Sequence, residues 1–217
     1  MEDCIYNGFC DIECKQTCMK YLEMRYLLKS SCIPKNKQKI NKLIPDACDI
    51  KAFEKLSEIR DNIQDFVKEG NSIYLYSSHC GNGKTTWSIK LMLQYFNEVW
   101  LANGFKRRGI FINVPTFLTM CKASISMGPN PEFDRLRKDL PNVDLVVFDD
   151  IASTKLSEYD YNTLLTFIDQ RVINCKSNIF TGNIMPDKLA DYIGERLSSR
   201  VCGNSCVKIL LRGSDLR

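Results

Sequence analysis

Ser78-His79-Cys80-Gly81-Asn82-Gly83-Lys84-Thr85 follows the apolar run Ile73-Tyr74-Leu75-Tyr76 and precedes a helix-like segment from Trp87 to Phe96. Strand, tight loop and helix in that order are the setting of a phosphate-binding P-loop. A loop wrapped around a triphosphate must turn its backbone N–H groups inward, while the N-terminus of the following helix adds its dipole. Gly81 and Gly83 permit that turn. Lys84 is placed to reach the β- and γ-phosphates as a point charge, and the Thr85 hydroxyl to take one position on Mg²⁺. The stretch expected to bind the nucleotide therefore runs from Ser78 through Thr86. Its first residue departs from the ideal pattern, with Ser78 where a glycine is usual. His79 is the only histidine in the chain, and with no evident partner to make it a general base it reads as a loop residue that serves through its backbone.

A second chemical motif lies downstream, in Asp144-Leu145-Val146-Val147-Phe148-Asp149-Asp150. Four consecutive apolar residues suit a strand buried on both faces of a parallel sheet. Such a strand delivers its last side chains to the C-terminal edge of the sheet, where ligands of open α/β folds bind. Alone, the pattern is also that of a buried strand running into an acidic turn. After a P-loop, it places Asp149 in the Mg²⁺ shell and Asp150 where it can orient or polarise the attacking water.

The chain has 217 residues, enough for one full domain and a small appendage. A net charge of +4, with 26% charged residues, permits contact with nucleic acid without demanding it. No apolar run approaches the length of a membrane span, and Met1-Glu2-Asp3-Cys4 lacks the basic and apolar regions of an export signal. A soluble, cytoplasmic protein without a membrane partner is expected. Its 11 cysteines then read as reduced thiols or metal ligands rather than disulfides.

Cys4, Cys10, Cys14 and Cys18 crowd into one short N-terminal stretch, with Cys32 further on. Four thiolates this close can make a tetrahedral zinc site that staples a small module. They lack paired C-x-x-C knuckles, and Cys10, Cys14 and Cys18 recur at helical spacing, as a stripe of small packed residues would. Lys35 to Lys42 is a polar, basic run that reads as a linker. From Asp49 to Lys68, apolar residues at helical spacing predict one amphipathic helix closed by Gly70-Asn71. Gly109 to Val114 reads as a buried strand stopped by Pro115, and Phe117 to Met127 as a helix ended by Gly128-Pro129. Tyr159 to Val172 reads as a helix, Ser177 to Asn183 as a strand with a polar tip, and Val207 to Leu211 as a last strand. Arg196 and Arg200 show no acidic partner in the sequence, which leaves them as solvated surface or as arginine fingers.

From about Lys51 to Arg217, the order of these motifs resembles the AAA+ ATPases, most closely the bacterial and phage replicative helicase loaders. The resemblance implies a three-layer αβα domain with a five-stranded parallel sheet in the order 5-1-4-3-2 and no C-terminal helical lid. It also implies that Asn183 is the first sensor, that Arg196 and Arg200 lie in the box containing the arginine finger, and that Arg217 is the second sensor. ATP and Mg²⁺ would be the cofactors, with zinc added if the N-terminal cysteines bind it. A replicative helicase, single-stranded DNA and further copies of the chain would be the partners. Asp150 departs from the pattern, since many AAA+ proteins carry the longer glutamate there.

The expected organisation is a cysteine-rich N-terminal module over residues 1–34, a linker over 35–48 and an AAA+ ATPase domain over 49–217. The expected function is ATP-dependent loading of a hexameric helicase onto single-stranded DNA. Two alternatives stay open at this point: a transposition-helper ATPase, and a nucleotide-gated binding module with negligible turnover. A small-molecule kinase is disfavoured because no acceptor-site lid is found.

Overall fold

The computed structural model describes residues 18–38, 43–102 and 104–213. Its centre is a parallel sheet of five strands: β1 (Ser72–Tyr76), β2 (Gly109–Asn113), β3 (Leu145–Asp149), β4 (Ser177–Gly182) and β5 (Cys206–Leu210). They stand in the order β2-β3-β4-β1-β5, the order expected from the sequence read from the opposite edge. Ile73 is in register with both Ile179 and Val207, and Ile110 with Val146. Alternate strand residues point to opposite faces, and both faces are apolar. Ile73, Leu75, Val147 and Ile179 enter one buried cluster, and Tyr74, Val146, Phe148 and Phe180 the other. Helices cover each face, giving three layers.

On the first face lie α1 (Met19–Ser30), α2 (Ile50–Asp61), α3 (Ile63–Lys68) and α4 (Lys84–Val99). The second face carries α5 (Val114–Ser126), α6 (Pro131–Asp139), α7 (Glu158–Ile173), α8 (Leu189–Ile193) and α9 (Glu195–Cys202). Residues 19–34 fall in the range read above as the N-terminal module, and their Met24, Leu27, Leu28 and Ile33 share one buried cluster with the sheet. Burying side chains of this kind contributes about 1.5–3 kcal/mol each. The Ser31 carbonyl also accepts the backbone N–H of Phe111 at 2.7 Å, on the outer strand β2.

The single helix expected over Asp49 to Lys68 is two helices, broken at Asn62. There the backbone turns to φ −116° and ψ 27°, and the Asn62 amide donates to the Glu58 carbonyl at 2.9 Å. An asparagine side chain that competes for helix carbonyls interrupts the ladder although the apolar spacing continues through it. In the linker stretch, Lys35–Lys37 form a short 3-10 turn, and the Gln38 side chain donates to the Ile33 carbonyl at 2.8 Å. Among the described residues, no helix is long and apolar enough to cross a membrane.

Arg171 on α7 is fully buried and fastens the N-terminal ends of the strands. Its guanidinium donates to the carbonyls of Leu140, Val143, Asp144 and Ser177 and to the Asn178 side chain, five hydrogen bonds in all. Burial lowers its pKa from the ordinary value, with nearby Asp144 acting in the other direction. A charge this deep is tolerated because its donors meet acceptors.

Candidate functional site

The site forms where β1, β4 and β3, adjacent in the sheet, end together at its C-terminal edge. The P-loop leaves β1, Asp149 and Asp150 end β3, and Asn183 follows β4. Within the loop, Gly81 and Gly83 adopt φ of +86° and +88°, the left-handed region the turn requires. Ser78, His79 and Cys80 are exposed, Gly81, Gly83, Thr85 and Thr86 are half-buried, and Asn82 and Lys84 are buried. The His79 backbone N–H donates to Ser77 Oγ at 3.0 Å and its carbonyl accepts from Lys84 Nζ at 2.9 Å. His79 thus takes part in the loop through its main chain.

Asn82 does more than the sequence suggests. Its Oδ1 accepts from Lys84 Nζ at 2.9 Å, while its amide nitrogen donates to the Leu211 carbonyl at 2.9 Å and to Ser77 Oγ. The loop is thereby tied sideways to the exit of β5. That exit is held in turn by Asp49, a buried carboxylate at the start of α2 that accepts the backbone N–H groups of Arg212 at 2.7 Å and Gly213 at 2.8 Å.

Across the site, the Thr85 hydroxyl donates to Asp149 Oδ1 at 2.8 Å, and the same oxygen accepts from the Thr181 hydroxyl at 2.8 Å. Thr181 also accepts the backbone N–H of Asp150 at 3.0 Å, and its carbonyl takes the Ile151 N–H at 2.9 Å. Asp150 stands at φ +60°, which aims the chain sharply away after Asp149. Hydroxyl and carboxylate oxygens 2.8 Å apart at the mouth of a P-loop form a hard donor set that fits Mg²⁺. Thr85 and Asp149 are the residues that would hold it.

Asn183 donates through Nδ2 to Cys80 Sγ at 3.7 Å, while its Oδ1 is buried without a hydrogen-bond partner. Half of this side-chain amide is therefore unused by the protein beside the loop. The Tyr74 hydroxyl fixes the chain just beyond it, donating to the Ile184 carbonyl at 2.7 Å, and burial raises the phenol above its ordinary pKa. A Cβ on Gly182 would lie 2.7 Å from the Tyr74 hydroxyl, so this close approach requires glycine.

Arg196 and Arg200 lie on α9 and have an acidic partner, contrary to the expectation from sequence. Arg196 Nη2 donates to Asp169 Oδ2 at 2.5 Å and Arg200 Nε to Oδ1 at 2.7 Å. The missing information was spatial, since Asp169 sits on α7, whose packing against α9 no local pattern reveals. Thr181 did leave a signal, as a polar residue inside the apolar strand run Ile179-Phe180-Thr181. Arg217 lies outside the described residues, as do Cys4, Cys10 and Cys14. Cys18 is half-buried and free, and no group of three or more metal-ligating side chains occurs among the described residues.

No protein-family model matches the sequence, and no curated protein matches it. The fold does match solved structures. The DnaC helicase loader superposes with a TM-score of 0.67 at 18% identity, over 82% of this chain and 99% of that one. DnaI gives 0.64 at 18% identity, over 86% and 95% of the two chains. AMPPCP-bound DnaA from Aquifex aeolicus gives 0.61 at 21% identity, over 82% of this chain but only 50% of DnaA. The chain therefore shares the three-layer αβα fold of these structures.

Proposed function

We propose that this chain is an Mg²⁺-dependent ATPase that loads a hexameric replicative helicase onto single-stranded DNA. The observation that carries this reading is the extent of the likeness, which spans almost all of the DnaC and DnaI chains but only half of DnaA. The P-loop, the Thr85–Asp149 pair and Asn183 converge at one sheet edge and support the nucleotide part of it. When bound, MgATP supplies a γ-phosphoryl group and a cation that neutralises its charge. Lys84 anchors the phosphates, Asp150 orients the attacking water, and Asn183 senses the γ-phosphate with the unused half of its amide. Arg196 and Arg200 complete the site of a neighbouring copy.

Nucleic acid contact falls to exposed cations of the ATPase domain. Arg107 and Arg108 are less suited to it, being ion-paired with Asp139 and Asp144 at 2.9 Å each, whereas Lys106 is exposed. The N-terminal module, residues 1–34, would grip the helicase, and since its residues 19–34 also pack into the core beneath the sheet, a truncation must leave those in place. DNA or helicase must bind the ATP state better than the ADP state for the cycle to be coupled.

Two measurements test the reading. Lys84→Ala should weaken ATP binding, whereas Asp150→Asn should bind ATP normally and hydrolyse it at least about tenfold more slowly. Helicase loading onto single-stranded DNA is then compared for the full chain, a chain lacking residues 1–17, and Lys84→Ala. The shortened chain should keep its ATPase activity and fail to capture helicase. Equal loading by the shortened and full chains would refute the division of labour, and normal hydrolysis by Lys84→Ala would refute the site.

A further inference from the structure

Arg196 and Arg200 stand one turn apart on α9, so both side chains leave the same face of the helix. The opposite face, with Leu197, Ser198 and Val201, is buried and anchors α9 in the core. Facing the arginines, Asp169 on α7 gives each of them one oxygen, Oδ2 to Arg196 and Oδ1 to Arg200. The Asp169 side chain is 14% exposed, whereas those of Arg196 and Arg200 are 63% and 41% exposed. The carboxylate is thus the fixed member of the trio and the guanidiniums are its outer rim. Burial works against the Asp169 charge, but hydrogen bonds from Arg200 and Arg196 outweigh it and hold the carboxyl below its ordinary pKa.

Two positive charges against one negative leave the trio net positive. A guanidinium has five N–H donors, and each arginine spends one on Asp169, so the rest of each fork remains on the exposed side. Alone, two long exposed side chains would sample many rotamers and repel each other. With Asp169 between them they share one orientation, which lowers the entropy lost when they meet an anion.

We propose that Asp169 is the positioning residue of a two-arginine anion receptor. It holds Arg196 and Arg200 side by side in the free subunit, ready for the γ-phosphate of a nucleotide bound to a neighbouring copy. This rests on the reading that the active site is completed between subunits. Asp169 touches no reacting atom and acts only through the arginines. Its effect therefore falls on the turnover of the neighbour's site and not on nucleotide binding in its own P-loop.

The test is ATP turnover by assembled full-length protein with DNA present. Asp169→Asn keeps the shape of the side chain and removes its charge. It should lower kcat by about tenfold or more while leaving the KM for ATP within about twofold, because misplacing a charge-stabilising group costs rate rather than binding. Asp169→Glu, which keeps the charge, should retain more turnover than Asp169→Asn. Mixing Asp169→Asn with Lys84→Ala should restore activity, since the Lys84→Ala subunit offers intact arginines to a neighbour whose P-loop is intact. A merely structural role for Asp169 would give no rescue, and that result overturns the proposal. Wild-type turnover in Asp169→Asn, alongside loss in Arg200→Ala, overturns the proposal while sparing the inter-subunit site. Wild-type turnover in both Arg196→Ala and Arg200→Ala overturns the inter-subunit reading and the proposal with it.

Discussion

Lys84 does not wait in open solvent for a phosphate; it is buried, and Asn82 and the His79 carbonyl already hold its ammonium group. Such a lysine is oriented before the ligand arrives, but only while Asn82 keeps its place. Asn82→Ala would remove one acceptor for Lys84, leaving the His79 carbonyl, and both amide bonds, to Leu211 and Ser77. ATP affinity should fall about tenfold, equivalent to about 1.4 kcal/mol, within the range for losing a buried hydrogen-bonded group. Titration of ATP into the variant, followed by calorimetry, checks this. Asn82→Asp should bind more weakly still, because its carboxylate would repel the triphosphate while pairing with Lys84. Unchanged affinity in both variants would mean that the glycines alone shape the loop.

At the scale of elements, the sequence is most legible where chemistry and periodicity agree. The strand ends that carry Asp149 and Asn183 are short apolar runs, whereas the helix after the P-loop, legible from Trp87, begins a turn earlier at Lys84 with Gly83 as its N-cap. The break at Asn62 was hidden, because apolar spacing runs across it and only a side-chain bond to the Glu58 carbonyl marks it. Arg171 was equally silent. A charged residue within the apolar helix Tyr159 to Val172 reads as solvent-facing, yet it is wholly buried because the bends before β3 and β4 turn their carbonyls toward it. Arg171→Met would fill much of the space and strand those acceptors. It should destabilise the fold by about 3 kcal/mol or more, measurable as a shift in the urea midpoint. A loss below about 1 kcal/mol would show that water replaces the guanidinium.

For the molecule as a whole, acid should loosen the second face of the sheet first. Asp160 and Asp169 both lie there on α7. Burial raises each carboxyl, but Lys122 with Ser157 in one case, and Arg200 with Arg196 in the other, more than reverse this and lower both pKa values. A carboxyl whose folded pKa is depressed contributes stability fully above its unfolded value, near about 4, and loses it as pH falls through the folded value. The thermal midpoint should therefore drop on acidification below about pH 4. Asp160→Asn should lower the midpoint at neutral pH and flatten that acid limb; a limb as steep as in the wild type would assign the acid loss to other groups. The first face depends on a different contact, the Ser31 carbonyl that receives the Phe111 N–H on outer strand β2. A chain cut back beyond that residue would bare a strand flank together with the apolar bed beneath α1. Unsatisfied strand flanks recruit other chains into growing sheets. Such a protein would precipitate, and its failure to capture a helicase would report insolubility rather than a missing grip.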